Sequence, residues 1–174
     1  TWGNSPGAFL PKTPPKLKAD NEQLRAINAL APEMAAAATE QLRAMSCDLR
    51  DQLRAGLTQP ETALTQAFAL VREMTKRVHG LDHYDVQILA GLGLYRGAIA
   101  EMATGEGKTL VQLLPAYARG LEGRGVHLAT ANAYLAERDH EFGRPVFEAL
   151  GLTSALLPER VAAPAKRKAY EKDI

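Results

Sequence analysis

A chain of 174 residues with 46% apolar and 24% charged side chains can bury one good core and part of a second, and it lies far from the composition of disordered or fibrous proteins. Lys and Arg total 21 against 20 Asp and Glu, so no net field draws it onto nucleic acid or acidic lipid. Cys47 stands alone, which excludes an intramolecular disulfide and a multi-cysteine metal site and points to a reducing compartment such as the cytosol. No run approaches the roughly 18 apolar residues of a spanning helix, and the start lacks a signal-peptide pattern. The chain opens on Thr1, and Tyr170 to Ile174 read as the entry to another element, so a fragment of a longer protein is expected.

Residues 1–19 carry Pro6, Pro11, Pro14 and Pro15 among Lys12, Lys16 and Lys18, a composition that favours an extended, mobile arm over helix. From Asp20 the apolar period turns helical, and residues 20–93 read as a helical lead-in. Leu24, Ile27 and Leu30 mark one helix, and Leu42, Met45, Leu49 and Leu53 mark a second that Gly56 closes. Thr58 and Glu61 form an expected capping box, with Pro60 in the first turn and Leu64, Phe68, Val71 and Val78 on one face as far as Gly80. A shorter helix from about Tyr84 to Leu92 is expected to be capped by Asp82 and ended by Gly91 and Gly93.

The grammar then changes. Gly97 to Met102 reads as a buried strand, followed by a glycine loop, an apolar helix to about Ala118 and a second strand from Val126 to Ala131. A further helix from about Leu135 to Leu150, a stop at Gly151 and a third apolar run from Thr153 to Leu157 continue the alternation. Strands alternating with helices predict an α/β fold with a parallel sheet and right-handed crossovers.

Between the first strand and its helix stands Thr104-Gly105-Glu106-Gly107-Lys108-Thr109, where a phosphate-binding loop belongs. Glycines permit dihedrals that aim successive N–H groups inward, and the helix adds its positive dipole end. Lys108 would reach the β and γ phosphates of ATP or ADP, and the Thr109 hydroxyl would coordinate Mg²⁺. The general pattern places a further glycine where this chain has Met102, a variant found in helicase-like motors. Upstream, Asp85-Val86-Gln87 offers a glutamine amide that can pair with both N7 and N6 of adenine and so select ATP over GTP, the alternative being a helix-surface glutamine with no role.

These residues together resemble the amino-terminal part of the SecA family, the ATPases that drive protein export across the bacterial plasma membrane. The resemblance rests on Phe68-Ala69-Leu70-Val71-Arg72-Glu73, Tyr84-Asp85-Val86-Gln87, Ile99-Ala100-Glu101-Met102, the run from Thr104 to Leu110, and Gly125-Val126-His127-Leu128-Ala129-Thr130. It extends through Tyr134-Leu135-Ala136-Glu137-Arg138-Asp139, Gly151-Leu152-Thr153 and Pro164-Ala165-Lys166-Arg167, and Met102 fits it. It implies that residues 94–174 open a helicase-like (RecA-like) P-loop motor domain, incomplete here, with Gln87 on adenine and Gly105 to Thr109 on the phosphates. It also implies a SecYEG-type channel, unfolded preproteins, acidic lipids and a second copy of the chain as partners, no nucleic acid, and a cytoplasmic location at the inner face of the plasma membrane. Two departures stand: Asn132-Ala133-Tyr134 replaces the family's Asn-Asp-Tyr, and prolines break the family's amphipathic amino-terminal helix.

ATP hydrolysis also needs a carboxylate at the end of an apolar strand and arginines for the transition-state charge. None of Glu122, Glu137, Asp139, Glu141, Glu148, Glu159, Glu171 and Asp173 ends such a strand, and Glu137-Arg138-Asp139 reads as a solvated helix start. No catalytic residue is therefore assigned, and this chain alone is expected to bind nucleotide without turning it over. Two other readings are a nucleic-acid helicase fragment, disfavoured by the balanced charge, and a truncated, non-catalytic interaction module.

Overall fold

The computed structural model describes residues 15–157 and 162–174. At its centre is α3 (Pro60–His79), which buries Ala63, Leu64, Ala67, Phe68, Ala69, Leu70, Val71, Met74 and Thr75. A helix apolar on so many sides must be covered on all of them. Its covers are α1 (Pro15–Ala36), α2 (Thr39–Arg54), α5 (Lys108–Leu121) and α6 (Ala133–Ala149), while α4 (Asp85–Tyr95) lies between α1 and α5. One core runs from Leu24 to Leu152 without a break at residue 94. Helix α7 (Ala163–Tyr170), eight residues long, buries no residue and has no apolar period to announce it in the sequence.

Several boundaries differ from expectation, each for a local reason. Helix α1 begins at Pro15, so residues 15–19 are helical rather than part of an extended arm; proline is tolerated in a first turn because its missing N–H would have no intrahelical partner there. The remainder of the expected arm, residues 1–14, lies outside the described residues. Helix α3 is capped at Gln59, and the Thr58 hydroxyl donates instead to Gln52 Oε1 at 3.0 Å. Asp82 does not cap α4: its carboxylate pairs with Arg72 at 2.7 Å and Lys76 at 3.6 Å. Desolvation raises the Asp82 pKa, but the Arg72 hydrogen bond and charge, with the Lys76 charge and the His83 N–H, together outweigh it and leave the pKa below the usual carboxylate value.

Gly91 and Gly93 do not end α4, which continues to Tyr95. A Cβ on Gly91 would stand 2.8 Å from Leu114 Cδ1 and 3.2 Å from Phe68 Cε1. This glycine lets three helices approach, and has no part in stopping one.

The expected strands at 97–102, 126–131 and 153–157 are not formed, and no strand occurs among the described residues. A strand exists only through its neighbours' hydrogen bonds, and here the pairing is sporadic. Val126 N–H donates to the Asp173 carbonyl and Ala155 N–H to the Ile174 carbonyl, each at 3.0 Å, while Ile99 is 98% exposed. Asp173 fastens the chain's last residues: its carboxylate accepts from Thr153 N–H, Thr153 Oγ1 and Arg54 Nη2, each at 2.8 Å.

Two polar devices tie the helices together, one at the edge of the core and one inside it. Arg77 on α3 donates to the carbonyls of Met34 and Ala37 at 3.0 and 2.7 Å and to Thr39 Oγ1 at 3.1 Å. It thereby satisfies carbonyls that the end of α1 leaves without partners. Deeper, Tyr117 Oη donates to Ser46 Oγ at 2.7 Å, and Ser46 donates onward to the Leu150 carbonyl at 2.6 Å. Burial pushes the Tyr117 phenol well above its usual pKa, so it remains the donor.

Ser46→Ala therefore strands both neighbours, whereas Tyr117→Phe removes a single donor. Urea unfolding should give a loss of about 2–3 kcal/mol for Ser46→Ala and about 1 kcal/mol for Tyr117→Phe. Equal losses would contradict the relay.

Candidate functional site

Helix α5 starts at Lys108, and Gly107 caps it in the left-handed region at φ 79° and ψ 40°. Gly105 also has a positive φ, 89°, so both glycines hold conformations that L side chains adopt only with strain. Glu106 braces the loop by accepting Ala103 N–H at 2.9 Å through its carboxylate. Thr104 and Gly105 are exposed at the entry to the turn, Lys108 is exposed at its exit, and Thr109 is half-buried in the first helical turn. The first-turn N–H groups have no intrahelical carbonyl to meet. Together with Lys108 they form a concentration of positive potential suited to an anion.

Gln87 is brought directly against this loop although 19 residues separate it from Glu106. The side chain is 5% exposed; Oε1 accepts Tyr84 N–H at 3.0 Å and Nε2 donates to the Glu106 carbonyl at 2.8 Å. A Cβ on Gly107 would lie 2.6 Å from Gln87 Nε2. The amide assigned to adenine is thus engaged on both sides with the protein's own backbone, and reading a base requires exchanging those two bonds.

Two residues that sequence reasoning missed complete the surroundings. His83, 2% exposed, places Nε2 at 3.0 Å from the Leu110 carbonyl in the first part of α5. Burial lowers its pKa, opposed by the Leu110 carbonyl, so the ring stays neutral at neutral pH and donates through Nε2. Its place beside Gln87 in the sequence was the available signal.

Asp139 is the second. Glu137-Arg138-Asp139 is not a solvated helix start: α6 begins at Ala133 with Asn132 Oδ1 accepting Leu135 N–H at 2.9 Å. Glu137 is exposed, but the Asp139 side chain is 12% exposed and accepts the Thr109 hydroxyl at 3.2 Å. Arg138 pairs with Asp139 at 2.7 Å and reaches Thr109 Oγ1 at 3.4 Å.

This donor set fits a phosphate chain with its cation. At Gly105 a Cβ would meet nothing within 4 Å, so the turn is open there, Lys108 is exposed and can reach outward, and the Thr109 hydroxyl offers a hard oxygen of the kind Mg²⁺ takes. Among the described residues no group of three or more His, Cys, Asp or Glu could hold a metal unaided, so a cation at Thr109 would draw most of its ligands from phosphate and water.

Residues 8–174 match the family model described as the SecA DEAD-like domain. The chain is 46% identical over 166 residues to the protein translocase subunit SecA of Cellvibrio japonicus (strain Ueda107), an alignment covering 95% of this chain and 18% of that protein. It therefore spans less than a fifth of the curated relative's length.

Proposed function

Since the chain belongs to the SecA DEAD-like domain family, we propose that it is the ATP-binding part of a preprotein translocase motor. The loop from Thr104 through Gly105, Glu106, Gly107 and Lys108 to Thr109 receives the phosphates. Lys108 contributes a mobile positive charge, Thr109 contributes an oxygen to Mg²⁺, and Gln87 selects adenine once its bonds to Tyr84 and Glu106 are exchanged. The observation that carries this reading is Gly107 held at positive φ at the start of α5, hemmed in by the Gln87 amide, with Lys108 and Thr109 in the turn that follows.

In the complete motor, residues 20–93 are a helical lead-in packed onto a RecA-like domain that residues 94–174 begin. Its parallel sheet would form when further strands pair with the apolar runs. An open groove of about 230 Å³ lined by Val126, Leu128, Ala155, Leu156 and Leu157 supports that reading, because it leaves a face of two of those runs uncovered. The carboxylate and arginines of hydrolysis are not among this chain's assigned residues, so the isolated chain binds ATP or ADP without turnover. The full motor would use this energy to push unfolded preproteins through a SecYEG-type channel at the cytoplasmic face of the plasma membrane. There it would meet acidic lipids and a second copy of itself, and no nucleic acid.

Titration of a fluorescent ADP analogue with Mg²⁺ into the chain tests the binding reading. Lys108→Ala should weaken binding about 10–100-fold through loss of a charge-assisted phosphate contact. Gln87→Ala should weaken it as well, and GDP should compete poorly. No binding by the folded wild-type chain would refute the reading.

A further inference from the structure

The Thr109 hydroxyl lies between two charged groups from a single turn of α6. It donates to Asp139 Oδ1 at 3.2 Å, and Arg138 Nη2 approaches its oxygen at 3.4 Å as a donor. A hydroxyl has one proton and two lone pairs. With the proton directed at Asp139 Oδ1, which also accepts Arg138 Nη2 at 2.7 Å, the lone pairs face a positive partner, and a guanidinium stands on one side of the oxygen. An unpaired threonine hydroxyl could rotate its proton toward a cation; this one has a carboxylate acceptor to turn it the other way.

We propose that Asp139 is the positioning residue for magnesium at Thr109: it holds the hydroxyl proton so that the oxygen presents a lone pair to the cation. The proposal rests on the nucleotide reading above and adds a residue to it. A cation on the oxygen withdraws electron density and makes the hydroxyl a stronger donor, so the bond to Asp139 tightens when Mg²⁺ arrives. The carboxylate is 12% exposed, which limits the water that competes for its hydrogen bonds. Because Asp139 belongs to α6 and Thr109 to α5, occupancy by the cation is felt directly at the junction of those helices. A contact that differs between the free and loaded states is what a nucleotide needs in order to bias a conformation.

The test is calorimetric titration of ADP into the 174-residue chain with Mg²⁺ and with chelator, for the wild type, Asp139→Asn and Asp139→Glu, each checked for helix content by circular dichroism. The readout is the gain in ADP affinity that Mg²⁺ provides, which a purely structural role would not alter selectively. Asp139→Asn should reduce that gain about tenfold, and Asp139→Glu, which keeps the charge, should recover part of it. A gain within twofold of wild type in Asp139→Asn overturns the proposal and leaves the nucleotide reading standing. If Asp139→Asn does not fold, Asp139→Glu alone decides: a gain identical to wild type, despite the displaced carboxylate, overturns the proposal. A wild-type chain that binds ADP with no help from Mg²⁺ overturns the proposal too, and one that binds no ADP overturns the nucleotide reading along with it.

Discussion

Phe68→Ala is expected to lower the unfolding free energy by about 3–5 kcal/mol, read from urea denaturation. The ring is fully buried in the middle of α3, and its Cε1 would lie only 3.2 Å from a Cβ on Gly91 of α4, beside Leu114 of α5. A void there removes the surface on which α4 and α5 both rest, and a stability of about 5–15 kcal/mol leaves little margin for such a loss. Phe68→Leu, which fills most of the volume, should cost less than half as much. Because α4 carries Gln87 and α5 carries Lys108, the alanine variant should also bind ADP less tightly than the leucine variant under conditions where both are folded. Equal affinities would mean that the loop keeps its shape independently of the core beneath it.

Gly107→Ala should be the most damaging single change in the loop. The left-handed φ of 79° costs a non-glycine residue about 1–2 kcal/mol, and the new Cβ would stand 2.6 Å from Gln87 Nε2. Gln87 can swing away only by giving up its bond to the Glu106 carbonyl, which adds about 1 kcal/mol for a part-buried bond. Gly105→Ala meets nothing within 4 Å and should show the dihedral cost alone. Thermal melts and ADP titration of both variants, with Gly107→Ala in a Gln87→Ala background, separate the two effects. The steric part should disappear when Gln87 is shortened; a fully additive double variant would refute the collision.

What the residues announced and what they concealed divide along physical lines. The α3 face and the α5 start were legible because both are written locally, in an apolar period and in glycines flanking a lysine. The strands were misjudged because an apolar run such as 153–157 states only that it must be covered, and pairing depends on a neighbour at a distant position. Gly91 was misread as a stop because its purpose, the approach of Leu114 and Phe68, is not local either. Asp139 looked solvated in a run of charges. Its burial follows from the α5–α6 packing, which no spacing of residues reveals, and Gln87's grip on the Glu106 carbonyl likewise appears only once α4 and the loop are folded together.

Arg77 also bears on the order in which this molecule comes apart. Its guanidinium belongs to α3, yet the carbonyls of Met34 and Ala37 that it satisfies close α1, and Thr39 opens α2. The corner between the first two helices takes part of its hydrogen bonding from nearby residues, as where Gln41 Oε1 accepts Ala38 N–H at 2.7 Å, and part from a distant one. It borrows the missing donor from a helix that docks later in the chain. Such a corner depends on the centre for its closure: when α3 opens, the carbonyls at the bend lose their donor together, so the α1–α2 corner is expected to loosen with α3 rather than before it.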